Sequence, residues 1–378
     1  MKFKISSTTL SQNLQAIGKV ISNKSPLPIL DYFLFQIEED RLKITASDVE
    51  TTLQVTLKVE NVDSTSGSVA VPARRILDSL KEFAEQPLTL SIDEVSCEIT
   101  VVWSSGKLSI PGVPGIGYPE QQSLDQENTT SVSLTTGLLG EGISSTVFAV
   151  ADDSLRPVMN GINIAMSPVN ITFVATDAHR LVRFINPTVT SSESTSFILP
   201  TKPSVLLRSI LPKDNSATVV IKYDKKNVIF DLPSHKLICR LIEGDYPNYN
   251  SVIPKDNANK FTIDRQEFMA SIRRVSVCSS QASGLIHLAI GSEGIGITAQ
   301  DVDYNTSAED FIACEYSGEE MEIGFKAAFL IDILSNIHTK EVMIKLSDPT
   351  RPGLFIPVNE DEDEKSNILM LLMPMMIK

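Results

Sequence analysis

Asp177 and His179 stand two residues apart in Thr176-Asp177-Ala178-His179-Arg180, a spacing that suggests a carboxylate and an imidazole sharing acid–base work. A hydrolase built on this pair is one reading of the chain. Against it, the same aspartate recurs twice elsewhere, as Asp48 and Asp301, with no histidine beside it, which makes it a residue of a turn or strand end. The other histidines, His235, His287 and His338, have no carboxylate or cysteine at ligand spacing. Cys97, Cys239, Cys278 and Cys314 are scattered without a C-x-x-C pair, so free thiols fit better than a zinc site or a disulfide framework. Gly112-Val113-Pro114-Gly115-Ile116-Gly117 follows a strand but enters no helix, so it reads as a turn and not a phosphate loop. The acidic run at 360–364 reads as a solvated loop. The expectation is no catalytic site, no metal site and no cofactor.

The elements that carry these residues come in three copies. Ile44-Thr45-Ala46-Ser47-Asp48-Val49 is echoed by Phe173-Val174-Ala175-Thr176-Asp177-Ala178 and by Ile297-Thr298-Ala299-Gln300-Asp301-Val302. A second marker, Val71-Pro72-Ala73-Arg74, is matched by Leu199-Pro200-Thr201-Lys202 and, more loosely, by the segment from Gly324-Phe325-Lys326. A third, Gly117-Tyr118-Pro119, recurs as Asp245-Tyr246-Pro247. Markers in constant order, roughly 125 residues apart, point to triplication of a domain of ordinary size. Polar stretches at 121–130 and 253–260 fall where the repeat needs boundaries. The expected domains are 1–122, 129–249 and 250–378.

Leu10, Leu14, Ile17 and Ile21 form the stripe of an amphipathic helix; Phe268, Ile272 and Val275 repeat it, and Leu139, Ile143 and Val147 do so less cleanly. Leu53, Val55, Leu57 and Val59 alternate with polar residues, predicting a half-buried strand, and 219–231 predicts a hairpin turning at Asp224-Lys225-Lys226-Asn227. Each copy is therefore an α+β domain, two helices packed on antiparallel sheets. The six helices are expected at 7–23, 72–85, 135–151, 200–211, 264–280 and 325–338. Net charge is −14, which argues against a simple nucleic-acid binder. Yet these helical segments carry ten basic and seven acidic side chains, so the acid sits in strands and loops. At physiological salt the Debye length is about 8 Å, so a mildly basic face can act apart from an acidic one. Weak contact with phosphates is the kind that permits sliding. The N-terminus lacks the apolar core of a secretory signal, and the apolar run at 368–377 is too short to span a bilayer as a helix. A cytoplasmic protein with no membrane role is expected.

Met1-Lys2-Phe3, Leu27-Pro28-Ile29-Leu30, the run from Ala175 to Leu181, Met321-Glu322-Ile323-Gly324-Phe325 and Met373-Pro374-Met375 together resemble the beta subunit family of bacterial DNA polymerase III, the processivity clamps. The resemblance covers the whole chain. It implies a DNA clamp fold whose three domains close head to tail as a homodimeric ring on double-stranded DNA. Twelve helices about 10 Å apart would wall a hole about 28 Å across, enough for a duplex with water. By position it implies DNA contacts at Lys24, Arg74 and Lys202; the basic helix residues Arg208, Arg273 and Arg274 join them. The loop Asp152-Asp153-Ser154 is acidic where the family has a neutral contact, and no DNA role is carried there. The dimer contact would set Arg75, Leu108 and Ile110 against Val277, Cys278 and Glu309.

Four of the ten methionines, Met370, Met373, Met375 and Met376, fall near the C-terminus. Residues to Leu372 read as a last strand; the rest suits an adaptable binding surface, because methionine repacks around different partners. The resemblance implies a groove for short hydrophobic peptides, matched at Met159, Thr176, His179, Arg180, Leu181, Pro247, Val252, Phe329, Met373, Pro374, Met375 and Met376. Its partners would be the polymerase III catalytic subunit, the clamp loader and other replication and repair proteins. Where the family often has a basic residue after Met-Pro-Met, this chain has Met376. An adaptor that uses the groove without encircling DNA is a further reading.

Overall fold

The helical stripes bury as their spacing predicts. The computed structural model describes residues 1–22, 27–63, 66–358 and 367–377, so Lys24 and the acidic run at 360–364 lie outside the described residues. The six helices are α1 (Ser7–Gly18), α2 (Ala73–Leu80), α3 (Thr136–Thr146), α4 (Thr201–Ile210), α5 (Arg265–Ser276) and α6 (Ala327–Ser335). Leu10, Leu14 and Ile17 of α1 are fully buried, as are Phe268 and Ile272 of α5. Three helices begin on side-chain caps: the Ser6 hydroxyl accepts from the Thr9 N–H, the Thr135 hydroxyl from the Leu138 N–H, and the Asp264 carboxylate from Gln266 and Glu267.

Every helix is shorter than its periodicity suggested. Pro72, Pro200 and Lys326 end strands, each just before a helix, and do not open the helix themselves. Apolar spacing marks where a helix could bury a face; it does not mark where the backbone stops bonding to itself. These observed helices carry seven basic and four acidic side chains, so their mildly basic character holds with the shorter bounds.

The chain divides into two compact units. One holds 1–140 and 202–243; the other holds 141–201 and 244–378. The division cuts through the second copy, and the reason lies in the sheets.

In the first unit a five-stranded antiparallel sheet runs Glu60–Asn61, Lys2–Ser6, Pro87–Ile92, Glu98–Trp103, Gly106–Pro111. A nine-stranded sheet runs Val113–Pro114, Gly67–Pro72, Tyr32–Glu38, Arg41–Ser47, Thr51–Lys58, His235–Arg240, Asn227–Asp231, Thr218–Tyr223, Thr130–Thr135. Its first five strands come from the first copy and its last four from the second. The seam pairs Thr51–Lys58 with His235–Arg240, placing Leu53 opposite Leu237.

The second unit repeats the device. Its eight-stranded sheet runs Thr195–Pro200, Gly161–Met166, Ile171–Thr176, Arg180–Asn186, Ile368–Leu372, Gly353–Val358, Glu341–Leu346, Asn259–Asp264, with a seam that sets Val182 opposite Met370. A four-stranded sheet, Thr306–Ala313, Gly294–Asp301, Leu285–Gly291, Met321–Lys326, completes it. α5 and α6 pack together, and Phe268, Ile272, Leu330 and Ile333 join Phe325, Phe355 and Met370 in one core.

The hairpin at 219–231 forms as expected, Thr218–Tyr223 with Asn227–Asp231, its turn held by Asp224 accepting from the Lys226 and Asn227 N–H groups. The Thr51–Lys58 strand departs from its alternation: Thr52 and Gln54 are as buried as Leu53 and Val55. The polar face is covered too, because the segment 115–121 lies over it with Tyr118 buried. Replacing Phe268 by Ala, which leaves a cavity in the core shared by α5 and α6, is expected to cost about 3–5 kcal/mol, read from denaturant unfolding of the full chain.

Candidate functional site

The Asp177–His179 pair resolves into a turn. Between the strands Ile171–Thr176 and Arg180–Asn186, Ala178 takes a left-handed φ of +73°. Asp177 Oδ1 accepts the His179 N–H at 2.9 Å and the Arg180 N–H at 2.8 Å, while its Oδ2 takes Arg180 Nε at 3.0 Å. The carboxylate is engaged by two backbone N–H groups and the Arg180 guanidinium, and among the described residues no hydrogen bond joins it to the His179 ring. The other copies do the same: Asp48 accepts the Thr51 N–H, beside Val49 at φ +81°, and Asp301 accepts from Asp303 and Tyr304. An aspartate that closes its own turn is a structural residue.

Around this turn the chain assembles a ring-and-cation cluster. Arg180, with its side chain 11% exposed, reaches across to Asp332 Oδ2 at 2.6 Å and lies 4.8 Å over the Phe329 ring and 5.5 Å over Phe148. The His179 ring stacks on Phe329 with centroids 5.7 Å apart, and Lys326 Nζ sits 4.8 Å from the same ring. Phe329 is thus flanked by two cations and an imidazole, a flat, half-buried aromatic platform.

The C-terminal strand feeds directly into it. Leu371 pairs with Leu181 and Leu372 with Arg180, after which the Met373 N–H bonds the His179 carbonyl at 2.8 Å. Val174, Leu181, Leu354 and Leu371 form a small apolar cluster, walled by Tyr246, Tyr249 and Ile253. Tyr246 is fixed by the Thr176 N–H, which donates to its hydroxyl at 3.1 Å, and burial pushes that hydroxyl's pKa well up.

Of the residues expected in the groove, Thr176, His179, Arg180, Leu181, Phe329 and Met373 are tied together by these contacts. Pro247 and Val252 are exposed on the segment that Tyr246 anchors. Met159 is 6% exposed, its backbone carbonyl bonded to the Ala151 N–H. Met375 turns to the sheet edge and bridges Gly324, where an added Cβ would stand 2.8 Å from the Met375 carbonyl. Met375 and Met376 line cavities on the third copy's outer surface. Asp332, Lys326, Phe148 and Tyr246 were not singled out from sequence as site residues. Tyr246 and Lys326 left a signal, in the recurrent Tyr-Pro marker and in the third copy of the second marker; Asp332 and Phe148 left none.

Three family models of the DNA polymerase III beta subunit match in order: the N-terminal domain at 1–122, the central domain at 133–248 and the C-terminal domain at 250–375. The chain belongs to the DNA polymerase III beta subunit family. A beta sliding clamp of Synechocystis sp. is 27% identical over 95% of this chain and 96% of its own, and that of Bacillus subtilis is 26% identical over 99% of each. Among solved structures, the fold is shared with a Pseudomonas aeruginosa sliding clamp bound to griselimycin, at TM-score 0.93 and 24% identity over the whole of both chains.

The basic residues expected of such a protein differ in freedom. Arg74, Arg75, Arg208 and Arg273 are exposed on their helices. Lys202 instead pairs with the Asp48 carboxylate and donates to the Val20 carbonyl, and Arg274 Nε is held 2.9 Å from Asp310 Oδ2. That pairing, with Ser271, holds the Asp310 carboxyl below the usual carboxylate range. Of the residues expected at a dimer contact, Val277 is 83% exposed just past α5, Cys278 and Leu108 are half-buried, and Glu309 is exposed. Ile110 is buried in its own unit. No described helix is long and apolar enough to cross a membrane. Asp177→Ala, which releases three hydrogen bonds, is expected to cost about 1–3 kcal/mol in thermal or urea unfolding, whereas His179→Ala should stay within about 0.5 kcal/mol. The opposite order would sink the structural role of this aspartate.

Proposed function

We propose that two copies of this chain, a non-catalytic sliding clamp of DNA polymerase III, close head to tail into a ring around duplex DNA. The carrying observation is an unfilled seam. Strand Thr51–Lys58 of the first copy and Arg180–Asn186 of the second each pair with the last strand of the following copy. Their third equivalent, Thr306–Ala313, is an edge of its sheet, and Gly106–Pro111, the first copy's equivalent of those last strands, is an edge of its own. The equivalent strands in the other copies are paired across a seam, so these two edges are the ones a partner would fill. A second chain supplies each edge with its complement, and the closed twofold arrangement then leaves neither end free.

The register comes from the existing seams, where Lys236 faces Gln54 and Leu369 faces Arg183. The same register puts Lys107 opposite Glu309, an opposite-charge pair across a new antiparallel junction. Arg75, Leu108, Ile110, Val277 and Cys278 would flank or underlie it.

In this reading the exposed Arg74, Arg208 and Arg273 supply loose contact to phosphates, with Lys24, while Lys202 and Arg274 reach DNA only by leaving Asp48 and Asp310. Three domains, 1–122, 129–249 and 250–378, build each half of the ring, in the cytoplasm. The platform of Phe329, His179 and Arg180 with the cluster of Leu181 and Leu371 forms a groove for hydrophobic peptides of the polymerase catalytic subunit, the clamp loader and other replication and repair proteins. Met159, Thr176, Pro247, Val252, Met373, Pro374, Met375 and Met376 border it.

In solution the protein should sediment at twice its 41.4 kDa chain mass, and a monomer at micromolar concentration would remove the ring. Lys107→Glu alone should shift the equilibrium toward monomer about two- to fivefold, and adding Glu309→Lys should restore it. The protein loaded on nicked circular DNA should be retained and then lost on linearisation, since only a topological link slides off an end. Phe329→Ala is expected to weaken a polymerase-derived clamp-binding peptide more than about tenfold without dissociating the dimer.

A further inference from the structure

The Tyr-Pro marker occurs in two copies, and the structure shows what it does there. In the first copy the Tyr118 hydroxyl accepts the Ser47 backbone N–H and donates to the Tyr32 carbonyl at 3.3 Å. The segment around it crosses the outer face of the sheet and buries Thr45, Ser47, Thr52 and Gln54 to 5% exposure or less, leaving a cavity of about 440 Å³. In the second copy Tyr246 takes the N–H of Thr176, the residue that matches Ser47. Two linkers thus lie on their own copies in the same way, each pinned by one tyrosine.

The third copy presents the same track. Thr298 faces His287 and Glu309 across its strands, as Thr45 faces Leu34 and Gln54. Met375 bridges Gly324 at the position where Val113 pairs with Ala70, so the tail enters along the path the first linker takes. Among the described residues, nothing continues across the face. Gln300, Ser307 and Glu309, which match buried Ser47, Thr52 and Gln54, are exposed. A cavity of about 1030 Å³ stands there, with Ser283, Leu285, Thr298 and Gln300 in its lining and Met376 and Ile377 at its wall. His287 lines it too; its Nε2 is 3.5 Å from Glu322 and makes no hydrogen bond.

We infer that this face of the third copy is a docking track for an extended segment of a partner protein bearing Tyr followed by Pro, which occupies it as the chain's own linkers occupy the first two. The tyrosine ring enters the cavity beside Leu285, and its hydroxyl meets the Gln300 N–H, the register equivalent of Ser47 and Thr176. Proline holds the segment extended and lowers the entropy lost on docking. Phe329 is not in the lining of this track, although Met376 borders both sites and Glu309 also stands at the proposed seam between chains.

The test uses the full chain and a fluorescein-labelled peptide of its own residues 113–122 as the probe, followed by anisotropy. Saturable binding is expected. Tyr118→Phe in the peptide should weaken it about three- to tenfold, the loss of one buried hydrogen bond, and Tyr118→Ala should abolish it. On the protein, Thr298→Trp should fill the cavity and abolish binding, while Phe329→Ala should leave it unchanged. A benzoylphenylalanine placed next to the peptide tyrosine should cross-link to the 283–300 stretch of the unmutated chain, so the site is read even if Thr298→Trp fails to fold. No binding at millimolar peptide, binding indifferent to the tyrosine, or cross-links confined to the Phe329 platform or to residues 34–54 would each overturn the inference.

Discussion

Backbone pairing across the boundary between copies is the interaction on which the rest of this protein depends. A hairpin that ends on Thr51–Lys58 or Arg180–Asn186 would by itself expose a row of unpaired N–H and C=O groups. Each row is answered by the last strand of the next copy. The ladder merges separately encoded domains into continuous sheets of nine and eight strands. It explains why the compact units of the fold do not coincide with the repeats of the sequence. Because every backbone group in a buried ladder must be paired, the two outermost edges inherit the same demand. The proposed dimer is the same interaction carried out between chains.

The turn before each seam strand is what lets one geometry serve different ends. An aspartate accepts the backbone N–H groups of the residues beyond it in all three copies, fixing where the strand begins. The residues just beyond the aspartate are then free to vary. In the second copy they include His179 and Arg180, which project onto Phe329 and build the platform; in the first they form a short loop at Val49 and Glu50. Structural sameness at Asp48, Asp177 and Asp301 is the condition for functional difference next to them.

Charge is arranged to the same effect. The chain is strongly acidic overall, yet its helices are mildly basic. Three of the helical cations are paired locally, Lys202 with Asp48, Arg274 with Asp310 and, at longer range, Arg74 with Asp78. The remaining exposed cations are sparse, in keeping with the loose contact to a polyanion proposed above.

Much of this was legible in the residues themselves. Triplication showed in the aspartate and Tyr-Pro markers, helix faces in the spacing of Leu10, Leu14, Ile17 and of Phe268 and Ile272, and the absence of a dyad in the recurrence of aspartate without histidine. These are local or periodic properties, written into the order of side chains. Tertiary structure alone decided the rest. Three helices start later than their sequence markers, because preceding strands hold Pro72, Pro200 and Lys326. Thr52 and Gln54 are buried because a segment some 60 residues away in sequence lies over them. Arg180 met Asp332 and Phe329, and Lys202 met Asp48, through folding that brings distant residues together. No pattern of spacing encodes such meetings, since the free energy that selects them comes from burial and pairing between segments remote in the chain.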